Sequence, residues 1–277
     1  MSPSLVTPST ARKIIEGEKK ISFDLGLSYV DVSFMKNMVV LPDGSHLSLG
    51  DLEEISRRED AVFFVEEDKI YQAAISDERF YKLVPTDGAP TLEIDGVRMH
   101  RTKEITPDAD AAEKLRALGL YGGRVLDTCC GLGYTALEAL HCGGELVVSV
   151  EMRPQVLRIA GLNPWSRELF LDKRIHLVLG DAGVVVKALK KGFFDFIVHD
   201  PPRFSRAGQL YGREFYKGLF GLLRPRGGLY HYTGEPGSRY RGQDLKRGVI
   251  KRLRGVGFVD VKYVEKALGV VCLKPAG

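Results

Sequence analysis

Residues Arg124 to Gly133 read Arg-Val-Leu-Asp-Thr-Cys-Cys-Gly-Leu-Gly, and the reading of this stretch decides the fold. Val125 and Leu126 look like the end of a buried strand, and Asp127 stands at its tip. A glycine turn follows, then Tyr134 to Cys142 with helical spacing. Gly131, Gly133 and Ala136 match the dinucleotide pattern G-x-G-x-x-A, whose glycines let a ligand approach the backbone. Asp127 restricts that ligand. A carboxylate beside the turn repels a pyrophosphate but suits a cation or a hydroxyl. An NAD-dependent oxidoreductase, the obvious rival, would have to place its pyrophosphate against that charge.

Working outward, strand and helix patterns alternate downstream of Arg124, as a doubly wound α/β sheet requires. Strands are predicted at Val125–Thr128, Leu146–Val150, Ile175–Leu179, Phe194–His199 and Leu229–Thr233. Helices are predicted at 154–160, 183–190, 210–223 and 244–254, with a closing hairpin over 258–264 and 269–274. Upstream, Thr106-Pro107-Asp108 opens a helix with a capping hydroxyl, a proline and acids in the first turn.

Three strand ends carry chemistry. Glu151 ends the second strand, 18 residues past Gly133, where an acid can accept hydrogen bonds from ribose hydroxyls. Met152 follows and could pack on a base. Gly180-Asp181-Ala182 ends the third, where Asp181 either binds ligand or caps the next helix. His199-Asp200-Pro201-Pro202-Arg203-Phe204 ends the fourth. In an open sheet, ligands bind at the carboxyl ends of strands near the switch point, so Asp200 should face Gly131. A carboxylate and a proline carbonyl can both accept N–H protons from an amine. That pyramidalises a delocalised nitrogen and aims its lone pair, while proline stiffens the turn. Fixing both reactants can supply roughly 7–11 kcal/mol of a barrier.

These motifs resemble the class I S-adenosylmethionine-dependent methyltransferases. Val125 to Gly133 is similar to motif I, V-L-D-x-G-C-G-x-G, with Cys129 replacing the first glycine. Asp200-Pro201-Pro202 is similar to motif IV of the amino methyltransferases, (Asp/Asn)-Pro-Pro-aromatic, with Arg203 in the aromatic position and Phe204 one later. V-L-D-T-C-C-G-L-G-Y-T, N-P-W-S and H-D-P-P-R-F-S together resemble an archaeal family of predicted methyltransferases. The resemblance covers about 103–277. It implies a seven-stranded sheet with its last strand antiparallel, and S-adenosylmethionine, whose sulfonium and ammonium suit Asp127. It implies a cofactor site built from Thr106, Asp127, Cys129, Gly131, Gly133, Tyr134, Glu151, Met152, Asp181, Ala182 and Asp200. Asp200, Pro201, Pro202 and Phe204 would hold the acceptor, with no metal. Asp-Pro-Pro-basic-Phe also resembles some ribosomal RNA cytosine-C5 methyltransferases. Those need a cysteine at the fourth or fifth strand end, and Cys129, Cys130, Cys142 and Cys272 lie elsewhere.

Charge points to the acceptor class. The chain carries a net +4, but residues 1–110 hold 13 Lys/Arg against 21 Asp/Glu and residues 111–277 hold 27 against 15. Within 203–254 the count is 13 basic to 3 acidic, a field suited to nucleic acid. There Phe204, Tyr211, Phe215 and Tyr216 interleave with Arg203, Arg206, Arg213 and Lys217. Tyr230, Tyr232, Arg239, Tyr240 and Arg241 repeat the theme. Such groups stack bases and neutralise phosphates, though about half the aromatics should belong to the core face. Arg203, Arg206, Tyr211, Arg213 and Asn163, the last heading the Asn-Pro-Trp-Ser loop, are the substrate candidates. The expected substrate is structured RNA, tRNA before rRNA. A small-molecule or protein-amine methyltransferase and an aminopropyltransferase are the alternatives.

Residues 1–102 read as an acidic β-rich domain, with Asp95-Gly96 its strongest hairpin signal and a short helix near 48–58. It could shape the substrate entrance or serve to cover or dimerise. No apolar run reaches membrane-spanning length and the start lacks a signal-peptide pattern, so a cytoplasmic protein is expected. Four cysteines make no disulfide framework or metal pattern. Only two Asn and four Gln occur, as in heat-adapted proteins. The oligomeric state is open.

Overall fold

The computed structural model describes residues 3–66, 69–234, 239–240 and 243–277, with Arg206, 239, 240 and 243 described by backbone alone. The chain divides into two compact units, 1–107 with 155–167, and 108–154 with 168–277.

The first unit is built of short antiparallel strands. Leu5–Val6, Phe63–Glu66 and Lys69–Gln72 form one sheet, and Ala74–Ser76, Phe80–Val84, Thr91–Ile94 and Val97–Arg98 another. The Asp95-Gly96 turn closes as expected, both residues left-handed at φ 51° and 75°. Ser48 caps the helix Leu49–Ser56 in a capping box with Asp51. The β-rich reading of 1–102 does not include a first helix. Pro8–Ile15 is a helix, with Thr7 Oγ1 accepting from Thr10 N at 3.0 Å and Ala11 and Ile14 buried. Thr7-Pro8 repeats the start signal seen at Thr106-Pro107.

The second unit holds a seven-stranded sheet. Its strands are β1 (Arg124–Asp127), β2 (Leu146–Glu151), β3 (Ile175–Leu179), β4 (Phe194–His199), β5 (Leu223–Tyr232), β6 (Val259–Val264) and β7 (Gly269–Leu273). The order is β3-β2-β1-β4-β5-β7-β6, with β7 antiparallel to both neighbours. The doubly wound architecture and the reversed last strand agree with the sequence reading. The strand order reverses between β1 and β4, so their carboxyl ends flank the switch-point crevice.

Helices α1 (Pro107–Leu118), α2 (Tyr134–His141), α3 (Ala182–Ala188), α4 (Arg213–Leu222) and α5 (Leu245–Val256) accompany the sheet. Val125 and Leu126 of β1 are both fully buried, as a central parallel strand covered on two faces demands. Each such side chain contributes roughly 1.5–3 kcal/mol by leaving water. On α4, Phe215, Tyr216, Leu219 and Leu222 point inward at helical spacing and pack with Val249 and Leu253 of α5. Asp244 caps α5 and Gly257, at φ 116°, ends it. At the opposite end of the strands, the buried Asp195 accepts from Arg124 N at 2.6 Å and pairs with Arg224 at 2.6 Å. It binds the entries of β1, β4 and β5 together. Among the described residues, no helix is long and apolar enough to cross a membrane.

Candidate functional site

The glycine turn is bridged to strands on both sides. Thr128 N donates to Val198 O of β4 at 3.1 Å, and Cys130 N to Val150 O of β2 at 2.8 Å. Gly131 and Gly133 are left-handed at φ 58° and 86°, which favours glycine at both. A Cβ on Gly133 would also lie 2.6 Å from the buried Leu169 side chain. Tyr134 is buried at the first position of α2. Cys129 and Cys130 are free thiols, both held well above the usual range by burial and by the nearby Asp127 and Glu151. A thiol so disfavoured as thiolate is no nucleophile.

Two carboxylates surround this turn. Glu151 Oε2 accepts from Gly131 N at 3.0 Å and Oε1 from Arg153 N at 2.9 Å, and burial raises its carboxyl above the ordinary range. Asp127 is 0% exposed. Ser149 Oγ donates to its Oδ2 at 2.6 Å, while Oδ1 is buried without a hydrogen-bond partner. Burial pushes its carboxyl up to about 7, Asp200 adding to the rise and donors on Ser149, the Cys129 backbone and Thr135 opposing it. An orphaned buried acceptor at the rim of a glycine turn is what an ammonium-bearing ligand would satisfy.

The tip of β4 is arranged differently. Lys114 of α1, only 5% exposed, places Nζ 2.5 Å from Asp200 Oδ2 and 2.7 Å from Asp110 Oδ2. The two carboxylates hold its ammonium well above the ordinary lysine range against the opposing effect of burial. Lys114 also sits 5.0 Å from the Tyr232 ring centroid at the end of β5. Tyr211 donates its hydroxyl to the Pro202 carbonyl at 3.0 Å and packs edge-on against Phe204, with centroids 5.2 Å apart. Beneath Asp200, His199 accepts from Thr128 Oγ1 at Nδ1 (2.6 Å) and donates from Nε2 to Leu210 O (3.0 Å). Burial lowers its pKa to about 3, so it is a neutral structural group and not a base. His231, 4.5 Å from it centroid to centroid, is likewise buried and neutral, with Tyr216 on its Nε2.

The structure brings Asp127, Cys129, Gly131, Gly133, Tyr134 and Glu151 together around the turn. Asp200, Pro201, Pro202 and Phe204 follow β4. Asp181 caps α3, accepting from Gly183 N at 2.6 Å, and Ala182 is buried behind it. Met152, after Glu151, is 58% exposed. Thr106 precedes α1 and belongs to the first unit. Asn163 also belongs there. It is not a surface contact but the buried cap of a turn, accepting from Trp165 N at 3.2 Å and donating to Ser166 Oγ at 2.7 Å. Trp165 in turn donates to Leu25 O at 3.0 Å. Tyr211 is 2% exposed and offers no face to a base, because its ring and hydroxyl are spent on the loop after β4. Arg203 is exposed, and so is Arg213, which donates to Gly255 O at 3.1 Å. The side chains of Arg206, Arg239 and Tyr240, and all of Arg241, lie outside the described residues. Phe215, Tyr216 and Tyr230 are core, which leaves Phe204 and Tyr232 half-exposed.

Lys114 is the residue the sequence reading missed. Its signal was present: with Ala111, Leu115 and Leu118 it occupies the inward stripe of α1, a position where an unpaired lysine is not tolerated.

Among known proteins, the family described as Conserved hypothetical protein 95 matches residues 90–213. The uncharacterized protein MJ1233 of Methanocaldococcus jannaschii is 45% identical over 283 residues, 99% of this chain and 97% of that protein. The chain belongs to the family of that protein. A polyamine aminopropyltransferase of Sulfolobus acidocaldarius is 28% identical over 179 residues, 62% of this chain and 57% of its own length. A solved spermidine synthase, in complex with the transition state analogue AdoDATO, aligns with a TM-score of 0.58 at 19% identity, over 74% of this chain and 73% of that one. The fold is that of the class I methyltransferases, shared with spermidine synthase.

Proposed function

We propose that this chain is an S-adenosylmethionine-dependent methyltransferase that methylates an exocyclic amino group in structured RNA, tRNA before rRNA. The orphaned Asp127 Oδ1, the bent glycine turn and Glu151 fit the cofactor's ammonium, its close backbone approach and its ribose hydroxyls. Bound there, S-adenosylmethionine supplies an electrophilic methyl on a sulfonium, so the protein's task is to present a nitrogen to it. Asp200 and the Pro201 carbonyl accept hydrogen bonds from the amine, aiming its lone pair, and Asp200 takes up the proton released when the methyl leaves the sulfonium for the nitrogen.

The single observation that carries this reading is the ion pair between Lys114 and Asp200 at the end of β4. A polycationic amine substrate needs unpaired carboxylates, and here an internal ammonium already occupies them. A neutral, delocalised amine such as that of a base needs only an acceptor. Asp200 Oδ1 provides one, since it makes no hydrogen bond among the described residues while Oδ2 is engaged by Lys114. The basic surface of α4 and α5 would hold phosphates.

The second reading is aminopropyl transfer. It is favoured by the aminopropyltransferase relative and by the spermidine synthase fold. One experiment separates the two. S-adenosylmethionine tritiated on its methyl, and decarboxylated S-adenosylmethionine labelled in the propyl chain, are each offered with total RNA, protein extract and polyamines. Methyl label in RNA that declines with salt is expected. Propyl label in polyamines would overturn the reading.

A further inference from the structure

We propose that Lys114 is a positioning residue, anchored by Asp110, which favours the charged form of the Asp200 carboxylate and aims it at the acceptor nitrogen. This rests on the function proposed above and goes beyond it by naming the device that sets the charge state of its central acid.

The geometry carries the argument. Asp110 and Lys114 stand one turn apart on α1, and Asp110 is almost fully buried. A buried lysine needs a compensating anion, and Asp110 alone provides it at 2.7 Å. Yet Nζ also reaches across to Asp200 at 2.5 Å, the shorter of the two contacts. Fixing Oδ2 on a rigid helix removes the rotational freedom that an unpaired aspartate would have to lose on binding substrate.

The groups facing Asp200 come from three directions. Lys114 and Asp110 belong to α1, Asp127 and Cys129 to β1 and its turn, and Tyr211 to the segment after β4. Only Lys114 favours the charged form. Burial, Asp110 and Asp127 all oppose it. Lys114→Met should therefore raise further the pH at which Asp200 ionises. Asp110→Asn should do the reverse, removing an opposing charge and leaving Lys114 to Asp200 alone.

The test reads Asp200 directly. The protein is labelled with 13C at aspartate carboxyls, and the Asp200 signal is assigned from its loss in Asp200→Asn. It is then titrated in wild type, Lys114→Met and Asp110→Asn. Ionisation should move to higher pH in Lys114→Met and to lower pH in Asp110→Asn. The acid limb of kcat/KM for RNA methylation should move with it, with kcat/KM at pH 7 falling roughly 10- to 100-fold in Lys114→Met and recovering as pH rises. Should Lys114→Met fail to fold, Asp110→Asn still gives a signed shift. An Asp200 titration unmoved in the folded variants overturns the proposal. The expected titration shifts without methyl label in RNA uphold the clamp and overturn the RNA reading instead.

Discussion

The tips of β1 and β4 are neighbours in one sheet, each ends in an aspartate, and the protein treats the two acids in opposite ways. Asp127 is fully buried, with no cation paired to it among the described residues, and burial pushes its carboxyl up to about 7 against the hydrogen bonds from Ser149, the Cys129 N–H and Thr135. Asp200 faces the crevice with a lysine ammonium locked onto one oxygen. Burial raises both carboxyls above the ordinary range, but only at Asp200 does a paired ammonium oppose the rise. On the proposed function, a cationic ligand beside Asp127 would offset the cost of burial with its binding free energy. On that same proposal, the paired acid accepts from a neutral amine through its second oxygen, so that the β1 side takes the cofactor and the β4 side the acceptor.

The sharpest way to break this division is to remove each acid. Asp200→Ala should lower methyl transfer about a thousandfold while leaving S-adenosylhomocysteine affinity within a few-fold of wild type, measured by calorimetry. Asp127→Asn should do the reverse to binding, weakening S-adenosylhomocysteine by about 10- to 100-fold through the lost charge on its ammonium. If both variants lost the same quantity, the two strand ends would be one site and the comparison would fail.

Asp127 also has a stability signature. Its folded pKa is raised above the ordinary carboxylate value, from 3.8 to about 7. Stability from this group is therefore intact below pH 4 and is lost as pH rises to about 7, beyond which the deficit is constant. Asp127→Asn removes the deficit. The ligand-free variant should melt several degrees above wild type at pH 8, a smaller margin above it at pH 5, and equal to it near pH 4. A margin independent of pH would show that the acid is not held neutral.

How much of this was legible depended on whether a residue's partner was local. The turn residues Gly131, Gly133 and Glu151 could be read because a strand tip, a glycine and an acid sit at fixed intervals in one βαβ unit. The same holds for Asp95-Gly96 and for the capped starts of helices. Thr7-Pro8 shows that a legible signal can still be passed over among polar neighbours. Lys114 could not be paired with Asp200, 86 residues away, without knowing that α1 lies against the tip of β4. Tyr211 and Asn163 were misjudged for a related reason. Both are polar groups near a motif, and only packing shows that Tyr211 is turned onto Pro202 and Asn163 into its own turn. An aromatic beside an arginine has the same sequence appearance whether it faces solvent or core.

Two smaller effects belong to the β4 side. Phe204 is half-buried against Tyr211. If it stacks on the acceptor base, Phe204→Ala should raise KM for RNA roughly 5- to 150-fold, corresponding to about 1–3 kcal/mol of stacking, with cofactor affinity unchanged.

The smallest difference lies between two arginines. Arg203 is exposed directly after Asp200-Pro201-Pro202, and its side chain caps no helix. Arg213 is exposed too, but one of its nitrogens already donates to Gly255 O at 3.1 Å, tying the start of α4 to the end of α5. A guanidinium committed to a carbonyl keeps its charge but not its freedom to follow a phosphate. Arg203→Ala should weaken RNA binding and lower the magnitude of the slope of log K against log salt by close to 1. Arg213→Ala should change that slope less and cost about 1 kcal/mol of stability through the lost bond. Equal slopes for the two variants would mean that basic charge acts only as a diffuse field, and that the β4 end holds no discrete phosphate contact.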